Sequence, residues 1–385
     1  MLYKIAEYSK FVLPICFFGY AAFANVGLIF ELSDKSDDLQ LSNLSFVKGE
    51  MSGAINDFYK SNLPHREPSI DLIGAARYLT LDTGRDGIVV GNNGWFFTKE
   101  EFETSLNADQ SLQYTFDRIS EFKLELENRN IELVIVPLPA KSDIYPEKLA
   151  TFQHASAVSD RYIEFLDGLR DLGVVTISSR EALLEAKNEL PVFLKSDTHW
   201  SAFGAGKVAK EVAMSLPLKD YGIEPNEFEL DNAGKVSFWG DLTTYITSED
   251  LAPFVGLSKE STELFVAETQ SEELVSDLFG DDISHDVVLV GTSYSANENW
   301  SFVEQLKAEL SVDVLNLSEE GKGPATPMLN YINGGLIDEY ETKVVIWEFP
   351  VRYIGQEILW SDLKDKDTKL DDVARVSDAG TFGAS

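Results

Sequence analysis

Short apolar bursts alternating with amphipathic stretches constrain this chain more than any other feature. "IELVIVPLP" (Ile131–Pro139) is an apolar run, and the stretch before it, Ser111–Asn128, has helical periodicity. "VVTIS" (Val174–Ser178) follows a second helical stretch, Val158–Leu172. "DVVLVG" (Asp286–Gly291) precedes a helix around Asn299–Leu310. "VDVLNL" and "KVVIWEF" come next, separated by a helix near Pro327–Leu336. Such runs read as strands buried on both faces, and strands alternating with helices make parallel sheets. The expected fold class is therefore α/β, a mostly parallel sheet flanked by helices. Sites in such sheets lie outside the carboxyl ends of the strands.

The N-terminus obeys a different rule. Phe11–Phe30 reads "FVLPICFFGYAAFANVGLIF" without a charge, and about 20 apolar residues cross a bilayer. Lys4 and Lys10 precede the run, and Glu31, Asp34, Asp37 and Asp38 follow it. Basic residues before a span favour an N-inside orientation with the remainder exported. Ala22-Phe23-Ala24 resembles a signal-peptidase site, but the apolar run continues to Phe30, which favours a retained anchor. The expectation is a periplasmic protein anchored to the inner membrane, or released if cleaved near Ala24. Cys16, the only cysteine, lies in this segment, so the exported part has no disulfide. Residues 1–32 are thus the anchor or signal peptide, and 33–70 a polar stalk and lead-in ending near "LPHREP". Residues 71–385 form one domain with a polar, acidic C-terminal tail.

The formal net charge of -33, from 65 acidic and 32 basic residues, excludes a nucleic-acid partner, which requires basic surface. It suits a salty external medium that screens the self-repulsion.

Two stretches carry candidate chemistry. In "VVLVGTSYSANENW" (Val287–Trp300) a buried strand ends at Gly291 and turns into a helix. A serine at such a turn presents its hydroxyl at the sheet edge, beside amides that can stabilise an oxyanion. This is nucleophile-elbow logic without the G-x-S-x-G pattern. Ser293 is the candidate nucleophile and the Tyr294 amide the candidate oxyanion donor; the structural alternative is that Ser293 or Ser295 merely caps the helix. In "SDTHWSAFGAG" (Ser196–Gly206), Asp197 and His199 stand two apart. Residues i and i+2 of an extended segment point the same way, so the carboxylate can orient an imidazole that activates the serine. Ser201 can cap the helix beginning at Ala202, so capping does not need Asp197. The other histidines, His65, His154 and His285, have no companion motif. As a metal site Asp-x-His is incomplete, with no second His/Cys cluster; no metal or cofactor is expected.

With both stretches in place, the chain resembles the SGNH-hydrolase-like domain of alginate O-acetyltransferases of the AlgX/AlgJ type. Further stretches carry the likeness: "VVGNNGWFF" (Val89–Phe97), "PLPAKSDIYPEKL" (Pro137–Leu149), "EEGKGPATPM" (Glu319–Met328) and "VIWEFPVRYI" (Val345–Ile354). The resemblance implies a triad of Ser293 as nucleophile, His199 as base and Asp197 as orienting acid. It also implies acetyl transfer to hydroxyls of an exported polysaccharide, most readily alginate. Ordinary SGNH hydrolases place the serine block first, and the reversed order here resembles a circular permutation. About 30 residues follow Ile354, too few for the carbohydrate-binding module of the AlgX-like branch, so the AlgJ-like branch is expected. The implied partners are a membrane-bound O-acyltransferase and other polysaccharide biosynthesis and export proteins. Acetylesterase activity, another exopolysaccharide, and a non-catalytic scaffold role remain alternatives.

Lys141, Tyr145, Lys322, Arg352 and Tyr353 lie beyond strand ends, where they can line the cleft and meet uronate carboxylates or stand as solvated loop charges. Trp200, Trp300 and Trp347 can stack on sugar rings or fill core, with core expected for Trp347; Trp95 is expected to pack. A polyanionic acceptor and an acidic protein repel unless salt or local cations intervene.

Overall fold

The structure is a computed structural model that describes residues 2–35, 48–103, 108–149, 155–269, 285–354 and 357–360. Part of the expected stalk, His154 and the polar C-terminal tail lie outside the described residues. In chain order the helices begin with α1 (Leu2–Asp34), α2 (Glu50–Asn62) and α3 (Arg66–Leu81). Strands β1 (Ile88–Val90) and β2 (Phe96–Thr98) follow, then α4 (Ala108–Glu127), β3 (Glu132–Leu138), α5 (Lys141–Ile144) and α6 (Ala155–Asp171). Next come β4 (Val175–Thr176), α7 (Ser179–Ala186), α8 (Ala202–Ser215), β5 (Phe228–Phe238) and β6 (Glu260–Thr269). The last elements are β7 (Val287–Val290), α9 (Ser293–Ala296), α10 (Phe302–Leu310), β8 (Val314–Asn316), α11 (Ala325–Asn333), α12 (Leu336–Glu339) and β9 (Val344–Pro350).

The five strands expected from the apolar bursts form one sheet in the order β4-β3-β9-β7-β8. Every pairing in it is parallel. Strand residues alternate between the faces, as the pleat requires. Val134, Val136, Leu289 and Ile346 pack with Leu183, Ala205, Val208 and Leu306 of α7, α8 and α10. Leu133, Ile135, Val288, Val345 and Trp347 pack with Ile119, Phe122, Phe165 and Met328 of α4, α6 and α11. Both faces are therefore apolar and covered, which is why the strands read as continuous runs. Trp347 is core, its indole N–H donating to Pro324 O at 2.9 Å. Trp95 packs on Tyr145.

Two antiparallel pairs stand outside this sheet. β1 pairs β2, close to α3 and Ile246. β5 and β6 form a long two-stranded ribbon with a register shift between Asn232 and Gly234. The alternation of apolar bursts does not predict it, because β5 ("FELDNAGKVSF") is mostly exposed and polar.

Within α1, Pro14–Leu32 has mean hydropathy 1.7 over 19 residues, long and apolar enough to cross a membrane.

Helix α8 begins where Ser201 Oγ accepts the Gly204 N–H, as capping chemistry requires. Gly204 also lets the helix approach the chain at Val192: a Cβ there would sit 2.2 Å from Val192 O. Gly204→Ala should therefore destabilise the protein by about 1–3 kcal/mol, read as a lower denaturant midpoint with unchanged slope.

Candidate active site

Strand β7 ends at Val290, and the chain turns through Gly291 and Thr292 into α9. The turn is fixed from below by Glu348, fully buried on the neighbouring strand β9. Its carboxylate accepts the Thr292 N–H at 2.7 Å, the Thr292 hydroxyl at 3.0 Å and the Ser295 hydroxyl at 3.1 Å. Ser293 lies between these two fastened residues. Only glycine fits at 291, since a Cβ would lie 2.5 Å from Glu348 Oε2. Burial pushes the Glu348 carboxyl up to about 6, against the opposing pull of the Thr292 and Ser295 bonds.

The second half of the site is a tight loop. Phe193 and Trp200 form an isolated antiparallel bridge, and Leu194 N–H donates to His199 O at 3.1 Å. Asp197 Oδ1 lies 2.7 Å from His199 Nδ1 and accepts the His199 N–H at 2.9 Å. Its Oδ2 accepts the Asp241 N–H at 3.0 Å. Burial raises the Asp197 carboxyl, but the His199 and Asp241 donors together hold it below its ordinary value.

The two halves meet across 94 positions of sequence, with His199 Nε2 2.7 Å from Ser293 Oγ. An ionised Asp197 accepts a hydrogen bond from Nδ1–H and so keeps the proton on Nδ1, leaving Nε2 to accept the serine proton. Trp300 lies nearly parallel to the imidazole, with ring centroids 5.0 Å apart and an interplanar angle of 21°. Its indole N–H donates to Ser293 O at 3.1 Å. Chemically, this is a carboxylate–imidazole–hydroxyl chain able to remove and return one proton at Ser293 Oγ.

Several expected ligand-facing residues belong to the framework instead. Lys141 is buried, and its ammonium donates to the carbonyls of Phe96 (2.6 Å), Lys195 (2.9 Å) and Asp197 (2.9 Å). It braces the Asp–His loop and cannot meet a polymer; burial lowers it to about 8, with Glu101 and Asp197 opposing. The Tyr145 hydroxyl is buried and accepts the Val192 N–H at 2.9 Å. Trp200 is fully buried, donating to Tyr294 O. Trp300 stacks on His199 rather than on a ligand. Arg352 is buried between the Tyr294 and Tyr353 rings and donates to both hydroxyls. The Tyr294 amide is engaged by Thr292 Oγ1 at 3.3 Å, which disfavours it as the oxyanion donor. Among the described residues the Ser293 N–H has no acceptor, and this amide takes over that candidacy. Lys322 is exposed and Tyr353 half-buried, so these two keep surface for a ligand.

Glu348 and Asp241 join the site without a motif to mark them. The one sign of Glu348 in the sequence is a lone carboxylate inside the apolar run "KVVIWEFP". Asp241 has none; its carboxylate accepts the Thr198 N–H at 2.8 Å. Side-chain atoms of Asp197, His199 and Asp241 lie within 4.8 Å of one another. Asp197 takes the His199 and Asp241 N–H groups, and Asp241 takes the Thr198 N–H on one oxygen.

A family model described as "SGNH hydrolase-like domain, acetyltransferase AlgX" matches residues 88–351, spanning both halves of this site. The chain belongs to this family. Among its relatives, the "Probable alginate O-acetylase AlgJ" of Pseudomonas syringae pv. tomato is 33% identical, over 84% of this chain and 82% of the relative. The protein of the same name from Azotobacter vinelandii is 32% identical, over 88% and 86%. The solved O-acetyltransferase domain of Pseudomonas putida AlgJ superposes with a TM-score of 0.63 at 30% identity, covering 71% of this chain and 94% of that domain. Pseudomonas aeruginosa AlgX gives 0.55 at 26% identity, covering 71% of this chain and 65% of that one. The sheet is the SGNH-like core expected, and the chain is an acetyltransferase of the AlgX/AlgJ family.

Two outcomes test this framework. Lys141→Met removes the ammonium donor from the buried carbonyls of Phe96 and Asp197, and should cost at least about 2 kcal/mol in chemical denaturation. Glu348 binds its proton more tightly folded than unfolded, so the stability it contributes is present below the unfolded value and declines as pH rises through about 6. Relative to Glu348→Gln, the native protein should lose about 2 kcal/mol between pH 4.5 and 7; parallel stability–pH curves for the two proteins would refute this.

Proposed function

We propose that this chain acetylates hydroxyl groups of an exported, alginate-like polysaccharide through an acetyl-serine at Ser293. The observation that carries the reading is the unbroken pair of 2.7 Å contacts from Asp197 through His199 to Ser293. The names of the relatives, probable alginate O-acetylases, supply the acceptor. Ser293 Oγ attacks the acetyl carbonyl of a donor while its proton passes to His199 Nε2. The tetrahedral oxyanion is met by the Ser293 amide. Collapse expels the donor's leaving group, which takes the proton from His199 and leaves acetyl-serine. A sugar hydroxyl then gives its proton to His199 as its oxygen attacks the acetyl carbon. Ser293 Oγ departs and recovers the proton, so the enzyme ends as it began. Asp197 stabilises the imidazolium formed in each half.

Helix α1 serves as the membrane anchor, holding the catalytic body on the periplasmic side of the inner membrane. A membrane-bound O-acyltransferase supplies acetyl groups from across that membrane, and other export proteins present the polymer.

The test is mass spectrometry after incubation with a small acetyl ester, followed by addition of mannuronate oligosaccharide. Acetyl should appear on the Ser293 peptide and then on the sugar, and Ser293→Ala should lower transfer by at least about 10³-fold. Acetylation surviving in that variant would defeat the proposal. Free acetate with no acetylated sugar would make the protein an esterase.

A further inference from the structure

The chain has six tryptophans. Trp95, Trp200, Trp300, Trp347 and Trp360 are buried. Trp239 alone keeps open surface, and all six lie among the described residues. A tryptophan left partly open loses some of the burial that makes the residue stabilising, so its position needs a reason.

That position is beside the triad. Trp239 follows Phe238, the last residue of β5, whose ring meets Trp300 edge-on at 5.5 Å. Trp300 in turn stacks on His199. On the other side, Gly240 packs so closely on Ser196 that a Cβ would lie 2.2 Å from its carbonyl oxygen. Asp241 then donates its N–H to Asp197 Oδ2. The backbone on both sides of Trp239 is therefore fixed against the reacting groups. Lys259, exposed at the foot of β6, holds its ammonium 5.9 Å from the centre of the Trp239 ring.

We propose that Trp239 and Lys259 form the acceptor-sugar subsite, the indole supporting the pyranose ring and the ammonium pairing with a uronate carboxylate. The inference rests on the polysaccharide reading above. An indole edge and face offer apolar area to the C–H groups of a sugar, and a cation already sharing that ring meets the acid on the same residue. Asp241, exposed next door, can accept a neighbouring sugar hydroxyl. The pair also answers the charge problem: in a chain of net charge -33, a polyanion needs a local cation where it docks, since screening confines the wider repulsion to about 10 Å.

The experiment uses the full chain in detergent with a small acetyl ester as donor, and compares oligomannuronate with a neutral oligosaccharide of equal length. Trp239→Ala should raise KM for oligomannuronate about tenfold or more, with the loss falling on sugar acetylation rather than on acetyl-serine formation. Trp239→Phe should restore most of it. Lys259→Met should raise KM for the uronate but not for the neutral sugar, with the difference shrinking as salt rises. Unchanged KM in Trp239→Ala, while the native protein acetylates oligomannuronate, would overturn the subsite and leave the function standing. Transfer by the native protein to the neutral sugar alone would overturn both. Equal loss in acetyl-serine formation would reduce Trp239 to a structural residue and overturn the subsite.

Discussion

One carboxylate, sunk in the middle of an apolar strand, ties the sheet to the turn that carries Ser293. Glu348 projects from β9 beneath the end of β7 and takes donors from both sides of Ser293. An ionisable group in that place is expensive unless its oxygens are satisfied. The fold satisfies them with the very residues that shape the turn. The parallel pairing of β7 with β9 sets the register that makes this possible, Val290 lying opposite Trp347. The conformation at Ser293 is thereby imposed by the sheet, rather than by a four-residue helix too short to hold itself.

The facing loop solves the same problem with the opposite sign. Lys141 collects three carbonyls from two separate segments, Phe96 on one side and Lys195 and Asp197 on the other. Asp197 in turn holds the His199 ring and the Asp241 amide. Buried cation and buried anion are thus linked through backbone groups rather than by direct pairing. Such an arrangement fixes direction as well as distance, because carbonyl and amide dipoles are rigid parts of the chain. In so acidic a protein it is notable that Lys141 and Arg352, two of its scarce cations, are spent on scaffolding the site.

Much of this was legible in the sequence, for reasons that particular residues make clear. β3, β7 and β9 announce themselves because both faces of the sheet are covered, so Ile131–Leu138, Val287–Val290 and Val344–Phe349 carry almost no polar positions. Ser293, His199 and Asp197 stood out because a small polar residue at a strand end and an acid two positions from an imidazole have few structural reasons to exist. Where structure and sequence pattern differ, burial is the reason. Lys141, Tyr145 and Arg352 follow strand ends, where ligand-facing residues gather, yet each side chain turns inward to satisfy backbone or aromatic partners. Sequence position gives the rim and not the rotamer. The β5–β6 ribbon escaped notice because a ribbon with exposed faces has no apolar alternation to display.

That ribbon has a further meaning. It leaves the chain after Asp197 and His199 and rejoins before the strand that leads to Ser293, so it is a detour between two halves of one site. Its roots, Phe238 and Glu260, touch the site through Trp300 and Ser196, whereas its outer length does not. The exposed residues of β5 can thus drift in length and charge without disturbing the hydrogen bonds that join Asp197, His199 and Ser293.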